Sequence, residues 1–157
     1  MSMNIKYFIE MDCQDLAGYL ILLDVDGTVM EDGGVELAPC VIKKIDKLKQ
    51  KNKIYFCSNK NVCQRLEKIT VEAGVGCVES PYKKPSSGIL KFIDNGENLP
   101  LLVIGDKFLT DGLFAKNIGA RFIKVRRILS RKDKWHVKAI YLIDDLFSLF
   151  FGKICRI

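Results

Sequence analysis

The stretch LILLDVDGTVM, residues 20–30, is the part of the sequence from which the fold is predicted. It opens with four consecutive apolar residues, Leu20–Leu23, and such a run predicts a strand buried on both faces of a parallel sheet. The run ends at Asp24 and Asp26, whose side chains share one side of an extended chain because they are two positions apart. Ionised carboxylates are costly to bury unless a cation or hydrogen-bond donors meet them. We therefore predict that both acids face a crevice at the carboxyl end of the strand, where open α/β sheets bind ligands.

The same letters also resemble the start of a calcium-binding loop, in which Asp-x-Asp-Gly is common. A calcium loop that began at Asp24 would need a bidentate Glu at its twelfth position, where this chain has Val35. Such a loop would also follow a helix, whereas an apolar strand is predicted here. The sequence therefore favours a crevice in an α/β sheet over a calcium loop.

The composition is that of a soluble globular protein. The chain has 157 residues, of which 48% are hydrophobic and 28% charged, and this length suits a single domain over 1–157 with a substantial core. No secretory signal is recognisable at the start, and no apolar window reaches the roughly 18 residues of a membrane span. We therefore expect a cytoplasmic protein whose thiols are free.

The cysteines and the single histidine argue against a zinc site. Tetrahedral zinc needs four clustered ligands, but no two cysteines form a Cys-x-x-Cys pair and His136 is the only histidine. The six cysteines are Cys13, Cys40, Cys57, Cys63, Cys77 and Cys155.

Apolar and amphipathic segments alternate along the chain. Further strands are predicted over residues 53–58, 75–78, 99–104 and 121–125, and helices over 38–51, 61–73, 88–95, 112–118 and about 134–152. Strands that alternate with helices predict a parallel sheet covered by helices on both faces. We therefore expect an α/β fold, a Rossmann-like three-layer sandwich with a five-stranded parallel sheet.

The segment 121–138 is strongly basic, and the helix predicted after it is rich in Phe. Eight Lys and Arg residues against one acid would suit the phosphates of a nucleic acid or an anionic membrane surface, although a solvated surface is the more common outcome. In the tail helix Ala139, Ile143, Leu146 and Phe150 lie near one face, which we expect to pack on the sheet. The alternative is an amphipathic face at a lipid surface, which would place the protein peripherally at a membrane.

Polar side chains also follow the other predicted strands. Ser58 and Asn59 follow the second strand, Asp106 and Asp111 follow the fourth, and Lys84 lies in the loop before a helix. The carboxyl ends of parallel strands meet in one crevice, so these groups are expected to lie together. Carboxylates with a hydroxyl, an amide and an ammonium suit Mg²⁺ and a phosphate. The carboxylates would hold the cation, the Ser58 hydroxyl would contact phosphate, and Lys84 would neutralise charge on the transferring group.

These motifs resemble, in their order, those of the haloacid dehalogenase (HAD) superfamily, over about residues 20–125. DVDGT at 24–28 resembles the first motif, Ser58 the second, Lys84 the third and GDKFLTD at 105–111 the fourth. The resemblance implies a single HAD-like phosphatase domain.

The resemblance also implies an activity, namely Mg²⁺-dependent hydrolysis of a phosphomonoester. It implies that Asp24 is the nucleophile that becomes an aspartyl-phosphate, and that Asp26 is the general acid and then the general base. The implied metal ligands are Asp24, Asp26 and Asp106, with Asp111 in the supporting shell, and the implied phosphate-binding residues are Ser58, Asn59 and Lys84.

The spacing of the motifs leaves no room for a separate cap domain. Only 34 positions separate Asp24 from Ser58, and 26 separate Ser58 from Lys84. An open crevice favours a large or membrane-borne phosphate ester, or a homo-oligomer whose neighbouring subunit covers it. The fourth motif most resembles the capless subfamily IIIA, which includes phosphatidylglycerophosphate phosphatases. Gly27 stands where that branch often has Asn.

Other functions stay open at this point. The alternatives are a sugar-phosphate, nucleotide or nucleic-acid-end phosphatase, and a non-catalytic binding protein on the same fold. A binding protein would be expected to have a damaged motif, and all four motifs are intact in this sequence.

Overall fold

The computed structural model describes residues 5–60, 67–130 and 142–147, and they form an α/β fold around one parallel sheet. The five strands stand in the order β3-β2-β1-β4-β5. Their bounds are Leu20–Leu23 (β1), Lys53–Phe56 (β2), Gly76–Cys77 (β3), Leu101–Gly105 (β4) and Arg121–Lys124 (β5). The predicted fold class, a Rossmann-like layered fold with five parallel strands, is confirmed.

The apolar run after Tyr19 forms the central strand. β1 pairs with β2 on one side and with β4 on the other, with Leu20 opposite both Lys53 and Leu101. All four residues of β1 are fully buried, as a strand covered on both faces requires. The pairing with β4 continues beyond β1, because the backbone N–H of Asp24 donates to the carbonyl of Ile104 at 2.9 Å. The acids after β1 and β4 therefore start from adjacent strand ends.

Alternate residues of β1 face two different hydrophobic cores. Ile21 and Leu23 pack in a core that also holds Val41, Ile45 and Leu48 of the first helix. Leu20 and Leu22 pack on the opposite face with Ile89, Val103 and Phe114. The period of two in a strand thus places one helical layer on each side of the sheet.

The first two helices follow the predicted pattern. α1 is Pro39–Lys49, with Pro in the first turn, where its missing N–H costs nothing. α2 is described over Glu67–Ala73, while the predicted start at 61–66 lies outside the described residues. Gly74 follows α2 with a φ of +57°, the left-handed conformation of a helix C-cap.

Two later segments differ from the predicted helices in their helix type. The segment expected at 88–95 is a 3₁₀ helix, Ser87–Phe92. The segment expected at 112–118 is preceded by a π-helical turn, Phe108–Gly112, and continues as α3, Leu113–Asn117. This π-helical turn contains Asp111 of the fourth motif, so the change in helix type lies at the predicted site.

The described part of the tail, residues 142–147, is helical, but it does not bury the predicted face. Ile143 is 49% exposed and Leu146 is 47% exposed, so the expected packing on the sheet is wrong for these two residues. Asp144 is buried in their place, because backbone N–H groups and a lysine meet its carboxylate. Ala139 and Phe150 of the predicted face lie outside the described residues.

The prediction that all cysteines are free thiols is wrong for Cys77, which is disulfide-bonded. Its partner lies outside the described residues, while Cys13, Cys40 and Cys57 are free. Which cysteines approach each other is a tertiary property that spacing does not reveal. Among the residues described, no helix has the length and apolar character needed to cross a membrane.

Candidate active site

The centre of the candidate site is a buried lysine between two carboxylates. Lys84 Nζ lies 2.6 Å from Asp24 Oδ1 and 2.5 Å from Asp111 Oδ1. The side chains of all three residues are at least nine-tenths buried. Burial alone would lower the pKa of Lys84, but Asp111 and Asp24 outweigh it and raise that pKa above its usual value. The two carboxylates therefore favour the positively charged form of Lys84 at the carboxyl edge of the sheet.

Asn59 holds the main chain of this lysine. Its Oδ1 accepts the Lys84 N–H at 2.6 Å, and its Nδ2 donates to the Lys84 carbonyl at 2.9 Å. The next carbonyl, that of Pro85, accepts from Asn117 Nδ2 at 2.8 Å, and the Lys84–Pro85 peptide bond is cis. Both ends of the Asn59 amide are thus bonded to the backbone of Lys84, a contact that the sequence did not predict, and the expected phosphate contact of this side chain stays a prediction.

Three buried carboxylates from two strand ends form a candidate cation site. One oxygen each from Asp24, Asp106 and Asp111 lies within 4.8 Å of the other two. Burial and the Asp24 charge raise the pKa of Asp106 to about 7 despite the nearby Arg127. Burial likewise raises the pKa of Asp111 to about 6, although Lys84 opposes the shift. Bringing these acids together is unfavourable, and a bound cation would relieve it.

The donor set of this group fits a hard cation. Carboxylate oxygens are the ligands that Mg²⁺ takes in proteins. Asp106 Oδ2 is buried and accepts no hydrogen bond from the described residues, since Arg127 Nη1, 3.1 Å away, forms an ion pair without hydrogen-bond alignment. A buried carboxylate oxygen that accepts no hydrogen bond keeps lone pairs with which it could ligate a metal.

The group differs from the predicted ligand set in one residue. Asp111, expected in the supporting shell, belongs to the three-carboxylate group, and Asp26 does not. Asp26 Oδ1 accepts from the Gly33 N–H at 3.0 Å, and its Oδ2 accepts from Ser58 Oγ at 3.2 Å. The same Ser58 oxygen accepts from the Lys60 N–H at 3.2 Å. Asp26 is thus held by the loop after β1 and by the residue after the end of β2.

Two residues without a predicted role contact the carboxylates. Thr28 is fully buried, and its Oγ1 lies 3.1 Å from Asp24 Oδ2 and 3.3 Å from Asp106 Oδ1, so its single proton serves one of them at a time. Arg127 pairs with Asp106 from the segment after β5. Thr28 stands within DVDGT, where the motif could have indicated it, whereas nothing local distinguishes Arg127 from its basic neighbours.

The described basic residues of β5 and of the segment after it are partly engaged within the fold. Lys124 pairs with Asp144 and Asp145, and Arg126 lies over the Tyr7 ring with its Cζ 5.1 Å from the centroid. These contacts leave fewer basic side chains available to a nucleic acid or a membrane than the number of Lys and Arg residues in the segment suggests. Residues 131–138 of the predicted basic segment lie outside the described residues.

Gly105→Ala is expected to weaken cation binding. A Cβ at this position would lie 2.4 Å from Asp111 Cγ and 2.5 Å from its Oδ2, so the carboxylate has to move. Displacing a ligand in this way typically lowers metal affinity about 10- to 100-fold, which a Mg²⁺ titration by calorimetry measures. Gly96→Ala is the control, because its added Cβ would make only an ordinary 3.5 Å contact with Asp94. Equal affinities in the two variants would contradict the proposed ligand set.

Cation binding is expected to tighten with rising pH. The pKa of Asp106 is raised from its ordinary value of 3.8 to about 7, so between these values the folded protein holds a proton that the unfolded chain has released. In this window the metal-free protein loses stability as pH rises, and a cation has to displace the proton in order to bind. Mg²⁺ affinity should therefore increase by up to about tenfold per pH unit for each proton that the cation displaces, and level off above the raised pKa of Asp106. Calorimetric titrations across the window test this, and a pH-independent affinity contradicts it.

The fold and the site together define a class: an α/β protein with a buried carboxylate group and a buried lysine at the carboxyl edge of a parallel sheet. Comparison of the sequence with protein-family models and with curated proteins gives no match.

Proposed function

We propose that this protein is a Mg²⁺-dependent phosphomonoester hydrolase of the HAD type, with Asp24 as the nucleophile. The observation that carries the proposal is the position of the Asp24 carboxylate at the end of the central strand. It lies between the Lys84 ammonium and the Thr28 hydroxyl, and beside two further buried acids. An Asp carboxylate so placed is a recognised covalent nucleophile toward phosphoryl groups.

The cation would be held by Asp24, Asp106 and Asp111. When bound, Mg²⁺ supplies positive charge that offsets the repulsion between a carboxylate and a phosphate. Lys84 adds a second, fixed positive charge on the same side of Asp24. The buried setting strengthens these interactions relative to water.

The reaction would proceed in two displacements at phosphorus. In the first, an Asp24 oxygen forms a bond to phosphorus while the ester P–O bond breaks, and protonated Asp26 gives its proton to the leaving alkoxide. In the second, Asp26 takes a proton from water, the hydroxyl oxygen attacks phosphorus, and the Asp24–phosphorus bond breaks to release phosphate. The Ser58 and Gly33 hydrogen bonds would keep the Asp26 carboxyl group in place through both steps.

The absence of a large insertion favours an open site in this proposal. Residues 24–52, between β1 and β2, hold a loop and α1. An open crevice suits a large ester, such as a lipid phosphate presented at a membrane, or a second subunit that covers a smaller substrate. Sugar phosphates, nucleotides and nucleic-acid ends are the competing substrate classes.

A phosphate-ester screen of the purified protein tests the function. Turnover of a generic aryl phosphate is expected with Mg²⁺ and none in EDTA. Phosphatidylglycerophosphate in vesicles, sugar phosphates and 3′-phosphorylated oligonucleotides then compare the substrate classes. Failure to hydrolyse any of these esters, in a protein that binds Mg²⁺, would contradict the proposed activity.

A further inference from the structure

The tail of the chain reaches the candidate site through one buried carboxylate. Asp144, in the helical segment 142–147, is 5% exposed although most of its neighbours in the segment are exposed. Its Oδ2 accepts the Phe108 N–H at 2.9 Å, and its Oδ1 accepts the Leu109 N–H at 2.8 Å. Both oxygens of this side chain are therefore bonded to the first two residues of the π-helical turn.

These two N–H groups need a partner from outside the turn. The first N–H groups of any helical turn have no acceptor within it, and leaving them unpaired in a buried place is costly. Two hydrogen bonds to one carboxylate supply both acceptors in a fixed relative position. Lys124 of β5, with its Nζ 3.3 Å from Asp144 Oδ2, compensates the buried charge.

The position of Asp111 depends on the π-helical turn that contains it. The Asp111 N–H donates to the Lys107 carbonyl at 2.9 Å, and the Lys107 N–H donates to Asp111 Oδ2 at 3.1 Å. The other oxygen of Asp111 meets Lys84. Because the turn is closed by these short-range bonds, holding Phe108 and Leu109 holds the whole turn against the end of β4.

We propose that Asp144 is a positioning residue for the cation site: it anchors the π-helical turn so that Asp111 meets Lys84, Asp24 and the bound cation. This inference rests on the proposed function for the identity of the cation. It adds a residue from the tail, far from the four motifs, to the set on which metal affinity depends.

Asp144→Asn with Asp145→Asn as the matched control tests the role. Both substitutions remove one negative charge from the same helix and the same lysine, since Asp145 also pairs with Lys124, at 2.9 Å. Asp145 is exposed and bonds to no backbone N–H among those described, so only Asp144→Asn loses an acceptor of the turn. The amide that replaces Asp144 keeps one acceptor oxygen and turns an N–H group toward the second backbone donor.

The probe is Mn²⁺ alone, which accepts the same oxygen ligands as Mg²⁺ and is measured without substrate. Asp144→Asn is expected to lower Mn²⁺ affinity about 10- to 100-fold, as loss of a ligand-orienting partner does, while Asp145→Asn leaves it unchanged. In a turnover assay, the Mg²⁺ concentration that gives half the maximal rate should rise by a large factor. The kcat measured at saturating Mg²⁺ should fall by a smaller factor. A merely structural role would not produce this split.

Three results would overturn the inference. The first is equal Mn²⁺ affinity in the two variants. The second, which needs no variant to fold, is rapid hydrogen exchange of the Phe108 and Leu109 amides in the folded wild type. The third is a wild type that binds no divalent cation, which would also remove the metal from the proposed function. A wild type that binds Mn²⁺ but hydrolyses no ester contradicts the proposed function alone, because the binding comparison still decides the role of Asp144.

Discussion

Asp24→Asn is expected to abolish phosphate-ester turnover, by roughly 10⁴- to 10⁶-fold, because an amide oxygen does not replace a carboxylate as a nucleophile. The substitution keeps the shape of the side chain and leaves Lys84 paired with Asp111. It also removes one of three mutually repelling carboxylates. The fold is therefore expected to persist, and the loss is expected in kcat.

The measurement is steady-state turnover of an aryl phosphate with Mg²⁺, together with thermal unfolding of both proteins. Asp46→Asn is the control, since Asp46 is exposed on α1 and pairs only with Lys49 among the described contacts. That variant should retain wild-type turnover. Full activity in Asp24→Asn would exclude the covalent mechanism, even with every other acid intact.

Lys84→Met is expected to cause the largest loss of stability together with loss of turnover. The Lys84 side chain is 3% exposed and its ammonium contacts both Asp24 and Asp111, so removing that charge leaves two buried carboxylates without their cation. Breaking a buried ion pair from one side typically costs about 3–5 kcal/mol in the free energy of unfolding. Methionine has a similar length and no charge, so the effect reports the charge rather than a cavity.

Urea unfolding with and without Mg²⁺ measures this effect. Mg²⁺ should recover part of the stability of Lys84→Met, because it supplies a cation to the same carboxylates. Adding Asp111→Asn to Lys84→Met should also recover stability without recovering turnover.

Lys53→Met is the matched control for the lysine substitution. Its side chain is partly exposed and pairs at 2.9 Å with the exposed Asp94, and such solvent-screened pairs contribute little to stability. If Lys84→Met were no less stable than Lys53→Met, the buried lysine would not be the charge that balances the site.

The sheet was predictable because its signals are local. Four apolar residues in succession predict a doubly covered strand whatever the rest of the chain does, and Leu20–Leu23 is that strand. The spacing of Val41, Ile45 and Leu48 likewise predicts one buried face of α1, and all three are buried. Ile143 and Leu146 of the tail helix have an equally good periodicity, but both are exposed. Periodicity shows which residues share a face, but not whether another element covers that face.

The sequence predicts which residues form the candidate site better than it predicts the contacts between them. Asp24, Lys84, Asp106 and Asp111 do lie together, as the rule for parallel strand ends indicates. The use of the Asn59 amide on the Lys84 backbone did not follow from any pattern, because those groups are 25 positions apart. Asp144 lies 36 positions from Phe108, in a segment whose sequence indicates only a helix.

The amino-acid sequence alone was sufficient for the central strand, the acids at its end and the parallel order of elements around it, since these depend on the polarity of near neighbours. Only the folded chain decided that Asp111 rather than Asp26 joins the carboxylate group, that Lys84 is the cation between the acids, and that Asp144 is buried. The reason is that a buried charge is tolerated only where opposite charge or hydrogen-bond donors surround it. For these residues the required partners come from segments that are distant in sequence and meet only in the folded structure.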